Sequence, residues 1–209
     1  MNNINEQVAK HKIIPVITLH SADDAAPLAD ALIDGGLPVG EITFRTDAAE
    51  ESIRRIVKAC PDMLVGAGTV MNTEQAERAF GAGARFIVTA GFSHTVTKWC
   101  VGKGLPIFPG ACTPSELMWL MEYDLHVAKF FPAAQFGGVA TIKALAAPFP
   151  NMRFLPTGGV SEKNILEYLA FPKIIACGGS WMVKPELIAE RKFDAITALT
   201  QTAVKLVNP

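Results

Sequence analysis

Lys129 lies inside His126-Val127-Ala128-Lys129-Phe130-Phe131-Pro132, an apolar run that reads as a short buried strand ended by its proline. An ammonium taken out of water without a partner is costly, and such a group commonly sheds its proton. A neutral amine at the end of a strand is a nucleophile able to attack a ketone and form a Schiff base. The plainer reading is a lysine whose head reaches water along its own stem. Lys58, Lys98, Lys103, Lys143 and Lys163 fall instead in stretches that read as helices or loops.

A second set of reactive types stands in Val39-Gly40-Glu41-Ile42-Thr43-Phe44-Arg45. Strand alternation gives Glu41 and Thr43 one face and leaves Arg45 at the strand exit. Glu41 suits a general acid/base and Arg45 a bidentate grip on a carboxylate. A plain Glu41–Arg45 structural pair fits the same spacing. Gly66-Ala67-Gly68-Thr69 ends a further strand, either as a simple turn or as a place where a ligand nears the backbone beside the Thr69 hydroxyl. Two glycine turns, Thr157-Gly158-Gly159 and Gly178-Gly179-Ser180, each lead towards a helix. Backbone N–H groups aimed from helix N-termini would make an anion cradle there, packing being the alternative. His11, His20, His94 and His126 are scattered, without metal-ligand spacing. Lysine chemistry is therefore favoured over metal chemistry, and no metal or cofactor is expected.

These residues need elements to hold them. Short β-rich runs recur near 13–18, 40–44, 63–67, 86–89, 106–108, 127–131, 153–156 and 174–177, with starts roughly 20 to 27 residues apart, the length of one βα unit. Helix starts are marked by the capping box Thr113-Pro114-Ser115-Glu116, and by Ser21 with Asp24, Asn72 with Gln75, and Ser161. Gly35-Gly36, Gly81-x-Gly83 and Gly102-x-Gly104 sit where helices should stop. Eight such cycles without a linker predict an α/β fold, a single (β/α)₈ TIM barrel over residues 1–209, with residues 1–12 a polar lead-in. A doubly wound sheet would want Gly-x-Gly-x-x-Gly after the first strand, and Thr18-Leu19-His20-Ser21 has none. In a barrel, reactive groups gather at the C-terminal ends of strands, and phosphate often sits after strands seven and eight.

Composition narrows the partners. Half of the 209 residues are hydrophobic and 19% are charged, with a net charge of −1. No basic run suggests nucleic acid, and no long apolar run suggests a membrane span. The polar start is unlike a secretory signal, and the four cysteines (Cys60, Cys100, Cys112, Cys177) lie far apart. A cytoplasmic protein with reduced thiols is expected.

Taken in order, Gly40-Glu41-Ile42-Thr43-Phe44-Arg45-Thr46, Val65-Gly66-Ala67-Gly68-Thr69-Val70, Pro109-Gly110, Thr113-Pro114-Ser115-Glu116, Lys129-Phe130-Phe131-Pro132-Ala133, Pro156-Thr157-Gly158-Gly159 and Gly178-Gly179-Ser180-Trp181 resemble the bacterial 2-keto-3-deoxy-6-phosphogluconate (KDPG) / 4-hydroxy-2-oxoglutarate (KHG) aldolases. The resemblance runs over nearly the whole chain. It implies a class I aldolase on a (β/α)₈ barrel, usually a homotrimer, that releases pyruvate from 2-keto-4-hydroxy acids. It makes Lys129 the Schiff-base lysine and Glu41 the general acid/base. Arg45 and Thr69, with Lys129, would bind the pyruvate portion, Phe131 would pack beside the imine, and Gly158, Gly159 and Ser180 would hold the distal phosphate. Family members commonly carry Glu where this chain has Ala134, which leaves the aldehyde preference open. Rival readings are an aldolase for the galactonate epimer, a phosphosugar isomerase or epimerase on a similar barrel, and an inert barrel that only binds phosphorylated ligands.

Overall fold

The computed structural model describes residues 4–208. The lead-in expected over 1–12 divides there. Residues 1–3 lie outside the described part, while Ile4–His11 form helix α1, whose Ile4 and Val8 are buried four positions apart. Then come β1 (Ile13–Ile17), a 3₁₀ turn (Ala22–Asp24), α2 (Ala25–Asp34), β2 (Val39–Thr43), α3 (Ala49–Ala59), β3 (Leu64–Gly68), α4 (Thr73–Gly81), β4 (Phe86–Val88), α5 (His94–Gly102), β5 (Ile107–Phe108) and α6 (Pro114–Glu122). The chain continues through β6 (Val127–Phe130), α7 (Gly138–Ala146), β7 (Arg153–Pro156), α8 (Ile165–Leu169), β8 (Cys177–Gly179), α9 (Pro185–Ala189) and α10 (Phe193–Val207).

Six strands make one parallel sheet in the order β5-β4-β3-β2-β1-β8, and β6 pairs in parallel with β7. Single bridges join the two groups: Gly110 to Lys129 on one side, Phe154 to Ile174 and Thr157 to Gly178 on the other. The strands are short and buried on both faces, as parallel strands covered by helices must be. The helices that cover them bury one stripe each. In α3 the stripe is Ala49, Ser52, Ile53 and Ile56, and in α10 it is Ile196, Thr200, Ala203 and Val207. A fully buried aliphatic such as Ile53 contributes about 1.5–3 kcal/mol through lost water contact.

Most expected strands shift by a residue at an end; the last shifts more. Ile174 makes only a bridge to Phe154, and the chain changes partner before β8 pairs with β1 from Cys177 onward. Two expected helix starts also differ. Ser21 accepts from Asp23 N and closes the 3₁₀ turn, not an α-helix. Ser161 belongs to a turn held by Asn164 Oδ1, and α8 begins only at Ile165. The Thr113–Glu116 capping box and the Asn72 cap form as expected.

Candidate active site

Two ladders position the lysine. Its N–H donates to Pro109 O and its C=O accepts from Ala111 N, both at 2.9 Å, while Lys129 pairs with Leu155 of β7. With its backbone fixed on both sides, the side chain is only 4% exposed, so its head does not reach bulk water. Lys129 Nζ stands 3.5 Å from Glu41 Oε1, and Glu41 is wholly buried. The other carboxylate oxygen, Glu41 Oε2, has no partner among the described residues. A buried acceptor without a donor costs stability, so it is a place ready for a substrate hydroxyl or a water.

Strand register explains how Glu41 fits. It lies between Val16 of β1 and Gly66 of β3. A side chain on Gly68 would run into the Glu41 carboxylate, and one on Gly66 would run into the Phe86 ring. The bare strand β3 is thus the notch into which the carboxylate turns. Its glycines were expected to admit a ligand or form a turn; they make room for protein groups.

Phe131 stacks its ring 5.2 Å from Lys129 Nζ, a cation–π distance. Burial holds the Cys112 thiol above its ordinary basicity, so it remains a donor to Phe131 O at 2.9 Å. Arg45 does not pair with Glu41. It donates to Thr69 Oγ1 at 3.3 Å across the strand ends, and Thr69 holds a left-handed backbone with φ of 55°. Such a conformation in a branched residue is strained and needs its surroundings to maintain it.

Above this pair opens a cavity of about 380 Å³, lined by Thr18, Arg45, Phe131, Thr157 and the two glycine turns, Gly158-Gly159 and Gly178-Gly179-Ser180. Lys129 and Glu41 are not among its lining residues; Phe131 belongs to both places. Gly158 and Gly159 have φ of 95° and 74°, which only glycine adopts without strain, and both line the cavity. Ala134 packs on Gly159 and donates to Gly158 O at 3.0 Å, so the position of the family's usual Glu adjoins this turn. The glycine turns do not cap helices directly, contrary to expectation. Helix α8 starts six residues after Gly159 and α9 five after Ser180, so any anion would be held by turn amides and the Ser180 hydroxyl. A larger cavity, about 530 Å³, lies at the start of β6 and β7 by His126, Arg153 and Lys173 and contains none of the expected site residues.

All eight expected residues thus meet at one end of the strands: Lys129, Glu41 and Phe131 at the base, Arg45 and Thr69 at one rim, Gly158, Gly159 and Ser180 at the other. Sequence reasoning missed Thr18 and Thr157. In the sequence Thr157 stands out only as part of its turn; its buried hydroxyl has no partner among the described residues. The signal for Thr18 was slight, a hydroxyl closing an apolar strand.

Comparison with known proteins places the chain among characterised relatives. A family model described as KDPG and KHG aldolase matches residues 4–199. The 2-dehydro-3-deoxy-phosphogluconate aldolase of Treponema pallidum is 46% identical over 208 residues, covering 100% of this chain and 99% of that one. The KHG/KDPG aldolase of Escherichia coli K12 is 42% identical over 193 residues, covering 92% of this chain and 91% of that one. Among solved structures, a KDPG aldolase of Legionella pneumophila, with pyruvate captured as a covalent carbinolamine intermediate, superposes with a TM-score of 0.93 at 37% identity, covering 96% of this chain and 98% of that one.

Proposed function

The chain belongs to the KDPG and KHG aldolase family, and from that premise we propose that it is a class I aldolase that cleaves KDPG to pyruvate and glyceraldehyde 3-phosphate, and KHG to pyruvate and glyoxylate. The observation that carries the reading is the buried Lys129–Glu41 pair, 3.5 Å apart, with one carboxylate oxygen unpartnered.

Lys129 Nζ attacks the C2 ketone, and loss of water from the carbinolamine gives an iminium. Glu41, directly or through a water, takes the proton of the C4 hydroxyl. The C3–C4 bond breaks, its electron pair flows into the iminium to give an enamine, and the aldehyde departs. Protonation of C3 and hydrolysis of the imine release pyruvate and restore the amine. The iminium is itself the electron sink, so the scheme needs no metal or cofactor. Arg45, with Thr69, grips the carboxylate and holds C2 near the amine, which makes attack effectively intramolecular. Phe131 packs beside the imine, and Gly158, Gly159 and Ser180 receive the phosphate.

The proposal includes a single closed (β/α)₈ barrel, its two groups of strands joined by the bridges at Gly110–Lys129, Phe154–Ile174 and Thr157–Gly178. It extends to a cytoplasmic homotrimer. The four cysteines are free, and no described helix is long and apolar enough to cross a membrane.

Borohydride reduction in the presence of pyruvate tests the chemistry. It should leave a carboxyethyl group on Lys129, found by peptide mass mapping, and Lys129→Ala should neither label nor release pyruvate. Turnover by the alanine variant would refute the scheme.

A further inference from the structure

Thr18 follows the last residue of β1, at the height of Thr43 on β2, since Val16 pairs with Glu41 and Ile17 with Ile42. Both hydroxyls therefore stand one layer above Glu41, towards the strands' C-terminal ends. Thr43 Oγ1 donates to Ile17 O at 3.0 Å, and Thr18 Oγ1 lies 2.8 Å from Thr43 Oγ1. Thr43 is fully buried; Thr18 lines the cavity.

Proton counting gives the one direction in which both contacts are hydrogen bonds. A carbonyl oxygen only accepts, so both contacts are hydrogen bonds together only if Thr43 gives its single proton to Ile17 O. The 2.8 Å contact is then a hydrogen bond only if Thr18 donates to Thr43. That uses the one proton Thr18 has. What Thr18 offers the cavity is lone pairs, and lone pairs take a hydrogen bond only from a donor. A carboxylate and a phosphate dianion have no proton to give; a substrate hydroxyl has one.

Position selects which hydroxyl. Strand β1 lies between β2, which carries Glu41, and β8, which leads into Ser180. A substrate that reaches from Glu41 to a phosphate at Ser180 has Thr18 on the strand between them, in the wall of the same cavity. Resting on the aldolase reading above, we infer that Thr18 is a specificity-determining residue that accepts a hydrogen bond from the C5 hydroxyl of KDPG, which is the hydroxyl next to the carbonyl in the aldehyde product. KHG has no hydroxyl there. Thr18 touches no reacting atom; it selects for a hydroxylated, phosphorylated aldehyde over one without the hydroxyl.

The test runs the reaction as addition of pyruvate to two aldehydes, glyceraldehyde 3-phosphate and its 2-deoxy analogue, 3-oxopropyl phosphate. The native chain should favour the hydroxylated aldehyde in kcat/KM by about 10- to 100-fold, the range expected when one hydrogen-bonding group is left without its partner. Thr18→Val should bring that ratio towards one, and Thr18→Ser, which keeps the hydroxyl, should restore it. Borohydride trapping of pyruvate is run on every variant; if the valine variant does not trap, Thr18→Ala reads the same ratio. A native chain without preference, or a valine or alanine variant that keeps the native ratio, overturns the role of Thr18 while trapping upholds the aldolase. Absence of trapping in the native chain overturns the aldolase reading itself.

Discussion

At the residue scale, the site depends on a group that never meets substrate. Gly68 leaves the space into which the Glu41 carboxylate turns, and a methyl group there would overlap it. The backbone at Gly68 does not lie in the left-handed region, so alanine suits the backbone there and its nearest clash is with Glu41. Gly68→Ala should lower kcat by about 10²–10⁴, the usual loss when a positioned acid/base is displaced. Overpacking should also cost about 1–3 kcal/mol in unfolding free energy. Steady-state pyruvate release with thermal unfolding checks both, and wild-type kcat in a folded Gly68→Ala chain refutes the notch. Lys129 and Glu41 were legible in the sequence because each interrupts an apolar strand with a charge, which physical chemistry tolerates only for a reason. The purpose of Gly68 and the Thr18–Thr43 relay was not legible, since both arise from side-by-side strands. Register between strands is invisible in a single linear pattern.

Elements carry the site through their ends. Glu116 Oε2 accepts from Cys112 N, Thr113 N and Thr113 Oγ1 at 2.8–2.9 Å, and Thr113 Oγ1 accepts from Glu116 N. The capping box therefore fixes both the start of α6 and the loop whose Cys112 thiol binds the Phe131 carbonyl. Thr113→Ala should cost about 1 kcal/mol, typical of a lost N-cap. For a chain of this length that lowers Tm by roughly 2–4 °C. Differential scanning calorimetry measures it, and an unchanged Tm would show that the box does not hold the helix. This cap was readable because its chemistry is local, four residues from end to end. The starts at Ser21 and Ser161 misled for the complementary reason: the same side chains also close 3₁₀ and Asx-type turns, and the packing of the next few residues decides between them. The early helix Ile4–His11 was hidden by its polar composition, although Ile4 and Val8 already carried the helical spacing.

Across the whole molecule, the unusual surface lies on three consecutive helices. Met118 and Met121 of α6 are 59% and 50% exposed, beside exposed Trp119, and Phe80 of α4 and Val101 of α5 are exposed as well. Phe80 of α4 meets Trp99 of α5 edge-on, and Trp119 of α6 packs against Phe92 just before α5, so neighbouring helices share these apolar side chains. Exposed apolar side chains gathered on neighbouring helices are what an interaction surface looks like. The homotrimer proposed from family membership supplies the occupant, a second copy of the chain. In a three-fold ring each contact joins two different faces, so this patch meets another surface of the next subunit, and a specific contact should bury on the order of 1,000 Å² or more. The native chain should therefore sediment with the mass of three chains. Met118→Lys combined with Met121→Lys places two ammonium groups in that contact and should give the mass of one chain in analytical ultracentrifugation. Every expected site residue comes from a single chain, and Lys129 is anchored by the ladders of β5, β6 and β7, away from α6's outer face. The dissociated variant should accordingly still trap pyruvate on Lys129 under borohydride. A double variant that sediments as three chains removes this patch from the interface, whereas one that dissociates and no longer traps pyruvate shows that the partner completes the site.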